Sequence, residues 1–370
     1  MSHLLTRRRF FRREKAEKEQ KLIFTLFALS FLWLVLLRVL PLGEKGIKKK
    51  MIEASQLMAQ SIEAIRKCRQ DEGLSIDRKS DPNLTGMIGL KTSALTTSLG
   101  NLEAKRTTTN PNFAGLMVFL FKEAGVKKGD VVAMGASSSF PSLILAANCA
   151  AEVMGLKLLA LISLGSSQWG ANNPDFHWIK IEDCLQREGL TSFETVAISL
   201  GGENDTGEGM APDFRLRLRK DVEEKGMLLV DEPDFVQNVE LKKRLLFQKA
   251  DPKPIKAFLN IGGNTTNIGR DSSILNFEPG LLRFKRIPPK EKRGLLQEMA
   301  LLGIPLIHLL NLRGLVAKYG LPWDPHPLPQ PGEGRIYKLV KEKEKGFFIF
   351  SASYLFLIFL IIFLRKFKRP

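Results

Sequence analysis

Ser137, Ser138 and Ser139 lie between an apolar run ending at Gly135 and the Phe140-Pro141 pair that opens a second apolar stretch to Gly155. Hydroxyls at such a junction suit two tasks. A single serine caps a helix with proline in its first turn, because the first backbone N–H groups lack intrahelical acceptors. Three serines add hydroxyl donors to the partial positive charge of a helix N-terminus, and that combination suits a phosphate or carboxylate. GSSQWGANNPDFHW, from Gly165, repeats the theme: Ser166 and Ser167 stand beside Trp169 and the amides of Asn172 and Asn173. Such groups fit a polar ligand with carboxylates and peptide-like bonds, and they equally fit an Asx/Pro turn anchored by a buried tryptophan. Lys105 and Arg106 are candidate counter-charges. Asp205 in GEND and Asn264 in GGNTTNIG complete the candidate ligand-binding set.

Other chemistries find less support. The nucleophile elbow GxSxG is missed, because Ser139 stands where its last glycine belongs. His177, between Phe176 and Trp178, reads as packing rather than as a base. GEND resembles the Gly-x-Asn-Asp block of lipase-like esterases, but no Gly-Asp-Ser block or Asp-x-x-His partner accompanies it. No catalytic residue is therefore assigned. GxGxxG and the Walker A pattern are absent, so no nucleotide cofactor is expected. The four histidines (3, 177, 308 and 326) and the three cysteines (68, 149 and 184, with no CxxC) give no metal-site spacing. A disulfide framework is not expected, and Cys149 reads as a small buried hydrophobe.

The elements that must position these groups follow a rhythm. A helix from Phe113 leads through KKGD to a strand at 131–135, the serine loop and a helix at 141–155. Strands near 158–164, 195–200, 227–231 and 255–261 alternate with helices near 178–188, 213–225 and 236–249. A helix near 291–302 precedes the apolar strand IPLIHLL. Continuously apolar strands alternating with helices predict an α/β fold, a predominantly parallel sheet with helices on both faces. Right-handed crossovers then bring every strand-to-helix loop to one edge. The loops 135–141, 165–174, 201–209 and 262–269 should therefore share one rim. An amphipathic helix over 51–73 rises as a stalk or packs on the domain, and the Ser/Thr-rich stretch after it reads as a long functional or disordered loop.

The ends belong to a membrane. Residues 22–40 and 346–364 are apolar enough for transmembrane helices flanking the α/β fold, with Arg38 placed to snorkel. The first is too long for a signal peptide and lacks a small-residue cleavage site. Eight basic residues from Arg7 to Lys21 put the N-terminus in the cytoplasm, and a second span returns the chain there. The expected organisation is a basic cytoplasmic tail (1–21), a span (22–40), an amphipathic helix with a polar loop (41–110) and an extracytoplasmic α/β domain (111–330). A linker (331–345), a second span (346–364) and a short basic cytoplasmic tail (365–370) follow. The two tails and Arg38 carry most of the net charge of +17 and would meet anionic membrane lipid. The remaining domain is mildly basic, which favours acidic ligands, and no Arg-rich helix points to nucleic acid.

Five blocks in order, TTSLGNLEAKRTTTNPNFAGL, VAMGASSSFPSLILAANCAAEVMGL, SLGSSQWGANNPDFHW, SLGGENDTGEG and NIGGNTTNIG, resemble the membrane-anchored poly-γ-glutamate system proteins. The likeness covers roughly residues 50–310. Family members often read Ser-Gly-Ser at 137–139, where this chain has Ser138. The resemblance implies a part in synthesis or export of a γ-linked glutamate polymer, with that polymer or a glutamyl group as ligand and synthase components as partners. It supplies no reaction. An ATP-dependent ligase must work in the cytoplasm, so an outward domain without a P-loop leaves the joining to a partner. Three roles stay open: an accessory protein gripping polymer carboxylates on the rim, a hydrolase or γ-glutamyl transferase using a loop serine or Asp205, and a scaffold for the synthase.

Overall fold

Apolar runs closed by glycine become strands, and runs with helical periodicity cover them. The structure, a computed structural model, describes residues 2–39, 46–191, 193–340 and 344–367. The expected boundaries at 40–45 and the parts of the linker and tail at 341–343 and 368–370 lie outside the described residues. In chain order the strands are β1 (Thr96–Ser98), β2 (Val131–Ser137), β3 (Lys157–Ser163), β4 (Ser166–Ser167), β5 (Asn172–Asn173), β6 (Phe176–His177), β7 (Phe193–Ser199), β8 (Leu229–Val230), β9 (Ile255–Ile261), β10 (Gly280–Leu282) and β11 (Leu306–Leu309). The helices are α1 (Ser2–Val39), α2 (Ile47–Asp71), α3 (Leu102–Thr108), α4 (Asn112–Glu123), α5 (Pro141–Met154), α6 (Trp178–Arg187), α7 (Pro212–Glu224), α8 (Phe235–Ala250), α9 (Thr265–Ile268), α10 (Leu295–Leu301), α11 (Leu312–Tyr319) and α12 (Glu344–Phe367).

Seven strands form the main sheet in the order β10-β11-β9-β2-β3-β7-β8. All neighbours run parallel except the β10–β11 edge pair. Successive strand residues point to opposite faces, so a fully buried strand must feed two cores. In β2, Val132, Met134 and Ala136 join the core under α2, α4 and α5, whereas Val131 and Ala133 join the core under α8 and α10. This explains why the sequence shows continuous rather than alternating hydrophobicity. From β2 the chain steps outward through β3, β7 and β8, then returns to the other side of β2 as β9. The order reverses between β2 and β9, and the carboxyl ends of strands at such a point leave a crevice.

Residues Ile47–Val340 form one compact unit, and Met1–Gly46 with Lys341–Pro370 another. The amphipathic helix is part of the first: Met51, Met58 and Ile65 of α2 are fully buried against α4 and α5. The Ser/Thr-rich stretch expected as a long loop contains β1 and α3, because Asn101 caps α3 by accepting from the Ala104 N–H at 2.7 Å. The expectation about cysteines is corrected: Cys68 on α2 and Cys184 on α6 form a disulfide across 116 residues. Their helices pack together in space, which no local Cys spacing could reveal. Cys149 is the buried free thiol, its pKa pushed up to about 12 by burial.

In the other unit, the stretch Glu19–Leu36 of α1 is long and apolar enough to cross a membrane. The expected second span falls on α12, whose apolar run over described residues, Ile349–Leu364, is shorter than the ~20 apolar residues that usually cross a bilayer. Trp33 stacks on Tyr354 with ring centroids 4.6 Å apart, so α1 and α12 touch through aromatic faces.

Candidate functional site

The loops after β2, β3, β7, β9 and β11 line a single cleft of about 670 Å³ at the carboxyl rim of the sheet. Right-handed crossovers place them together, as the strand order requires. Ser137, Ser139, Phe140, Gly165, Ser167, Gly202, Glu203 and Asn264 come from the four loops named in the sequence. Thr97 to Asn101 and Lys105 form a further wall, contributed by the Ser/Thr-rich stretch. Asn311, Arg313 and Trp323 close the side beyond β9.

The two serine loops are locked to each other. Ser139 Oγ accepts from the Ser167 N–H at 2.9 Å and from Ser137 Oγ at 2.9 Å. The Ser138 carbonyl accepts from the Ala171 N–H at 2.9 Å. A Cβ on Gly170 would lie 2.3 Å from Ser166 Oγ and 2.7 Å from the Ser139 oxygen, so only glycine permits this approach. Ser138, where the resembled family often has glycine, has no left-handed backbone and is unstrained. Its hydroxyl is buried without a partner among the described residues and does not line the cleft.

Lys105 lies at the centre. Its side chain is 3 % exposed, and Nζ donates to the Ser139 carbonyl at 2.5 Å and to Ser167 Oγ at 2.8 Å. The ammonium also stands 3.5 Å from the centroid of the Phe140 ring. Among the described residues no carboxylate lies within ion-pair distance of it. Burial alone pushes its pKa down to about 7, since the charged form loses water and gains no counter-ion.

Other candidate residues take structural positions. Arg106 makes a bidentate pair with Asp324, at 2.7 Å and 2.5 Å, which raises its pKa and anchors the segment carrying Trp323. Asn172 is buried, receiving the Leu90 N–H at 2.7 Å and donating to the Leu90 carbonyl and Thr96 Oγ1 at 2.8 Å each. It ties the β3–α6 loop to the wall that holds β1. Asn173 and the half-buried Trp169 sit in the same loop without lining the cleft, and Ser166 Oγ is buried against the Ser138 carbonyl at 3.3 Å. The aromatic lining is Phe140 and Trp323 instead, with the Arg313 guanidinium 4.6 Å from the Trp323 ring centroid.

Asp205 lies behind the cleft floor. Its carboxylate pairs with Lys242 and accepts from Asn264 Nδ2 at 2.7 Å, while Lys242 also donates to Thr266 Oγ1 at 2.8 Å. Asn264 therefore joins cleft and buried cluster, its amide turned inward. His177 is buried outside the cleft, with Nε2 3.3 Å from Asp221, and burial lowers its pKa. The nearest metal-like grouping among the described residues, Cys68, Glu72 and Cys184, owes its two sulfurs to the disulfide.

Comparison with protein-family models and with curated proteins finds no match for this chain. The site must therefore be read from its own chemistry. Sequence reasoning missed Thr97, Phe140, Glu203, Arg313 and Trp323. The strand-end rule that selected four loops also selects the turn after β11, which would have found Arg313. Trp323 and Thr97 carry no such signal, because they reach the rim from segments outside the sheet.

Proposed function

We propose that this chain is a membrane accessory protein of poly-γ-glutamate synthesis or export, whose cleft holds carboxylate-bearing segments of the polymer. The observation that carries this reading is the meeting of all five resembling sequence blocks around one cleft. A likeness whose blocks run from Thr96 to Gly269 is concentrated there in space. Arg313, exposed at the mouth and backed by Trp323, is the group placed to take a carboxylate, and the serine hydroxyls below it offer further donors. Glu203 is the acidic side chain of the described lining, so the cleft is cationic only while Lys105 holds its proton, and Arg313 is its permanent positive charge. Individual exposed charge contacts are weak, but a polyanion engages many in succession.

The topology completes the reading. Both α1 and α12 cross the membrane, the basic tails stay in the cytoplasm and touch anionic lipid, and the cleft faces outward. The Cys68–Cys184 disulfide supports that side, because such bonds persist in oxidising compartments. Synthase components inside the membrane would pass the growing polymer to this domain. The test is retention of the detergent-solubilised full chain on immobilised poly-γ-glutamate at low salt. Retention is expected, with loss in the Arg313→Ala variant and in the Ser137→Ala/Ser139→Ala double variant. Unchanged retention in both variants removes the cleft from the function.

A further inference from the structure

The contact between Lys105 and Ser167 exceeds what binding requires. A lysine that serves only to attract carboxylates gains most from water and mobility, yet this one is buried, fixed by the Ser139 carbonyl and aimed at a hydroxyl. Both side chains line the open cleft. A hydroxyl becomes a nucleophile when a neighbouring base accepts its proton, and a desolvated lysine is such a base. Nucleophile and base stand 2.8 Å apart, within the reach that proton transfer needs.

We propose that Ser167 and Lys105 are a nucleophile–base pair that transfers the acyl group of an amide or ester bearing a nearby carboxylate. The carboxylate in that substrate class rests on the cleft reading above; the pair itself does not. In the first step neutral Lys105 takes the Ser167 hydroxyl proton while Oγ bonds to the carbonyl carbon, and the carbonyl electrons move to its oxygen. Their return breaks the bond to the leaving amine or alcohol, which departs with the proton from Lys105. The acyl-Ser167 ester then reacts with water, whose proton passes to Lys105, and the carboxylic acid leaves as Ser167 recovers a proton. With an amine in place of water the same sequence transfers the acyl group. Net hydrolysis consumes one water and yields one carboxylate and one amine or alcohol, with no redox change.

Several features are arranged for this. Ser139 fixes both partners, since its carbonyl holds Nζ and its hydroxyl receives the Ser167 N–H. Phe140 covers the amine. The charged neighbours are Glu103 and Arg106 on the same helix and, in the cleft lining, Glu203 and Arg313; among the described residues none bonds Nζ. The amine lies near the midpoint between its two protonation states at neutral pH, which is where a general base works best.

The experiment uses the full chain in detergent with a fluorophosphonate probe, which forms a phosphorus–oxygen bond to an activated serine and expels fluoride. Adducts are located by peptide mass mapping. A single adduct at Ser167 is expected, at a rate rising in one step near pH 7. Lys105→Met should label at least about 100-fold more slowly, the lower end of what a general base contributes. Lys105→Arg keeps the charge and the donors but takes up no proton, so it should not restore labelling. No adduct in the wild type, an adduct at another serine, a flat pH profile, or wild-type rates in Lys105→Arg each overturn the proposal. Polymer retention by Ser167→Ala separates the two readings: retention with no labelling of the wild type leaves a binding protein only, and labelling without retention leaves an acyl-transfer site with another substrate.

Discussion

Two lysines are buried at the carboxyl ends of the strands, each 3 % exposed, and they differ in one respect. Lys242 faces the carboxylate of Asp205 and the hydroxyl of Thr266. Lys105 faces a hydroxyl, a carbonyl and an aromatic ring. Burying an ammonium costs several kcal/mol, and only a counter-ion in good geometry offsets most of it. The Lys242 pair is thus a closed unit. It fixes the turn containing Asn204 and Asp205, both with left-handed backbones, against α8 and α9. The Lys105 site has hydrogen bonds and a ring face but no counter-ion, and it opens on the cleft. A buried cation without a counter-ion beside a cavity is what the acyl-transfer proposal rests on, and the Lys242 pair offers nothing comparable.

The contrast is broken most forcefully by exchanging each lysine for methionine. Lys242→Met strands a buried carboxylate and should lower unfolding stability by about 3–5 kcal/mol. Lys105→Met removes a charge that has hydrogen bonds but no counter-ion, so it should cost less, at most the roughly 1–3 kcal/mol of leaving the Ser139 carbonyl and Ser167 hydroxyl without that donor. Urea unfolding of both variants at pH 7 reads the difference, and similar losses in the two would erase the distinction. A smaller effect is expected from Cys68→Ser, which frees the α2–α6 tie and should lower stability by about 2–4 kcal/mol. Because that tie involves no cleft residue, polymer retention should survive in the folded variant. Smaller again is Asn172→Ala, which leaves the Leu90 N–H unpaired and the Leu90 carbonyl with the Trp169 N–H alone, at a cost of roughly 1–3 kcal/mol. Its effect should appear as faster proteolysis at the 85–101 wall, with the sheet intact.

The two lysines were unequally legible. Lys105 sits beside Arg106 in a polar stretch, so its charge could be noticed, but nothing local says which of the pair turns inward. The helix register decides: Ala104, Lys105 and Thr108 face the domain, while Arg106 reaches Asp324. Lys242 lies on α8 among Lys243 and Arg244, where a charge run reads as a solvated face. Its burial follows from Asp205, 37 residues earlier, and no periodicity connects them. The sheet itself was readable, since β2, β3, β7 and β9 are built on apolar runs and each is followed by a loop rich in serine, glycine or asparagine. The strand order was enough to bring those loops together. The edge strand β10 was not readable, because three residues pairing antiparallel at a sheet margin leave too little pattern. The side chains that fill the cleft from Trp323 and from the wall before α4 depend on tertiary contacts such as the Arg106–Asp324 pair.

The finest test of the contrast is its pH dependence. The Lys105 amine has a folded pKa near 7 and an ordinary value of 10.5 in the unfolded chain. Below pH 7 both states carry the proton and the full burial cost is present. Between 7 and 10.5 the unfolded chain holds more protons than the folded one, so stability rises with pH. Above 10.5 both are neutral and the cost has gone. Lys105→Met lacks this term and shares the others, so subtracting its unfolding free energy from that of the wild type isolates it. The difference should move in favour of the wild type by about 1 kcal/mol between pH 7 and 8, approaching a slope of ~1.4 kcal/mol per pH unit beyond. A difference that stays constant over that interval would mean that Lys105 keeps its proton in the fold. In that case it would be a fixed cation, and Ser167 would have no base beside it.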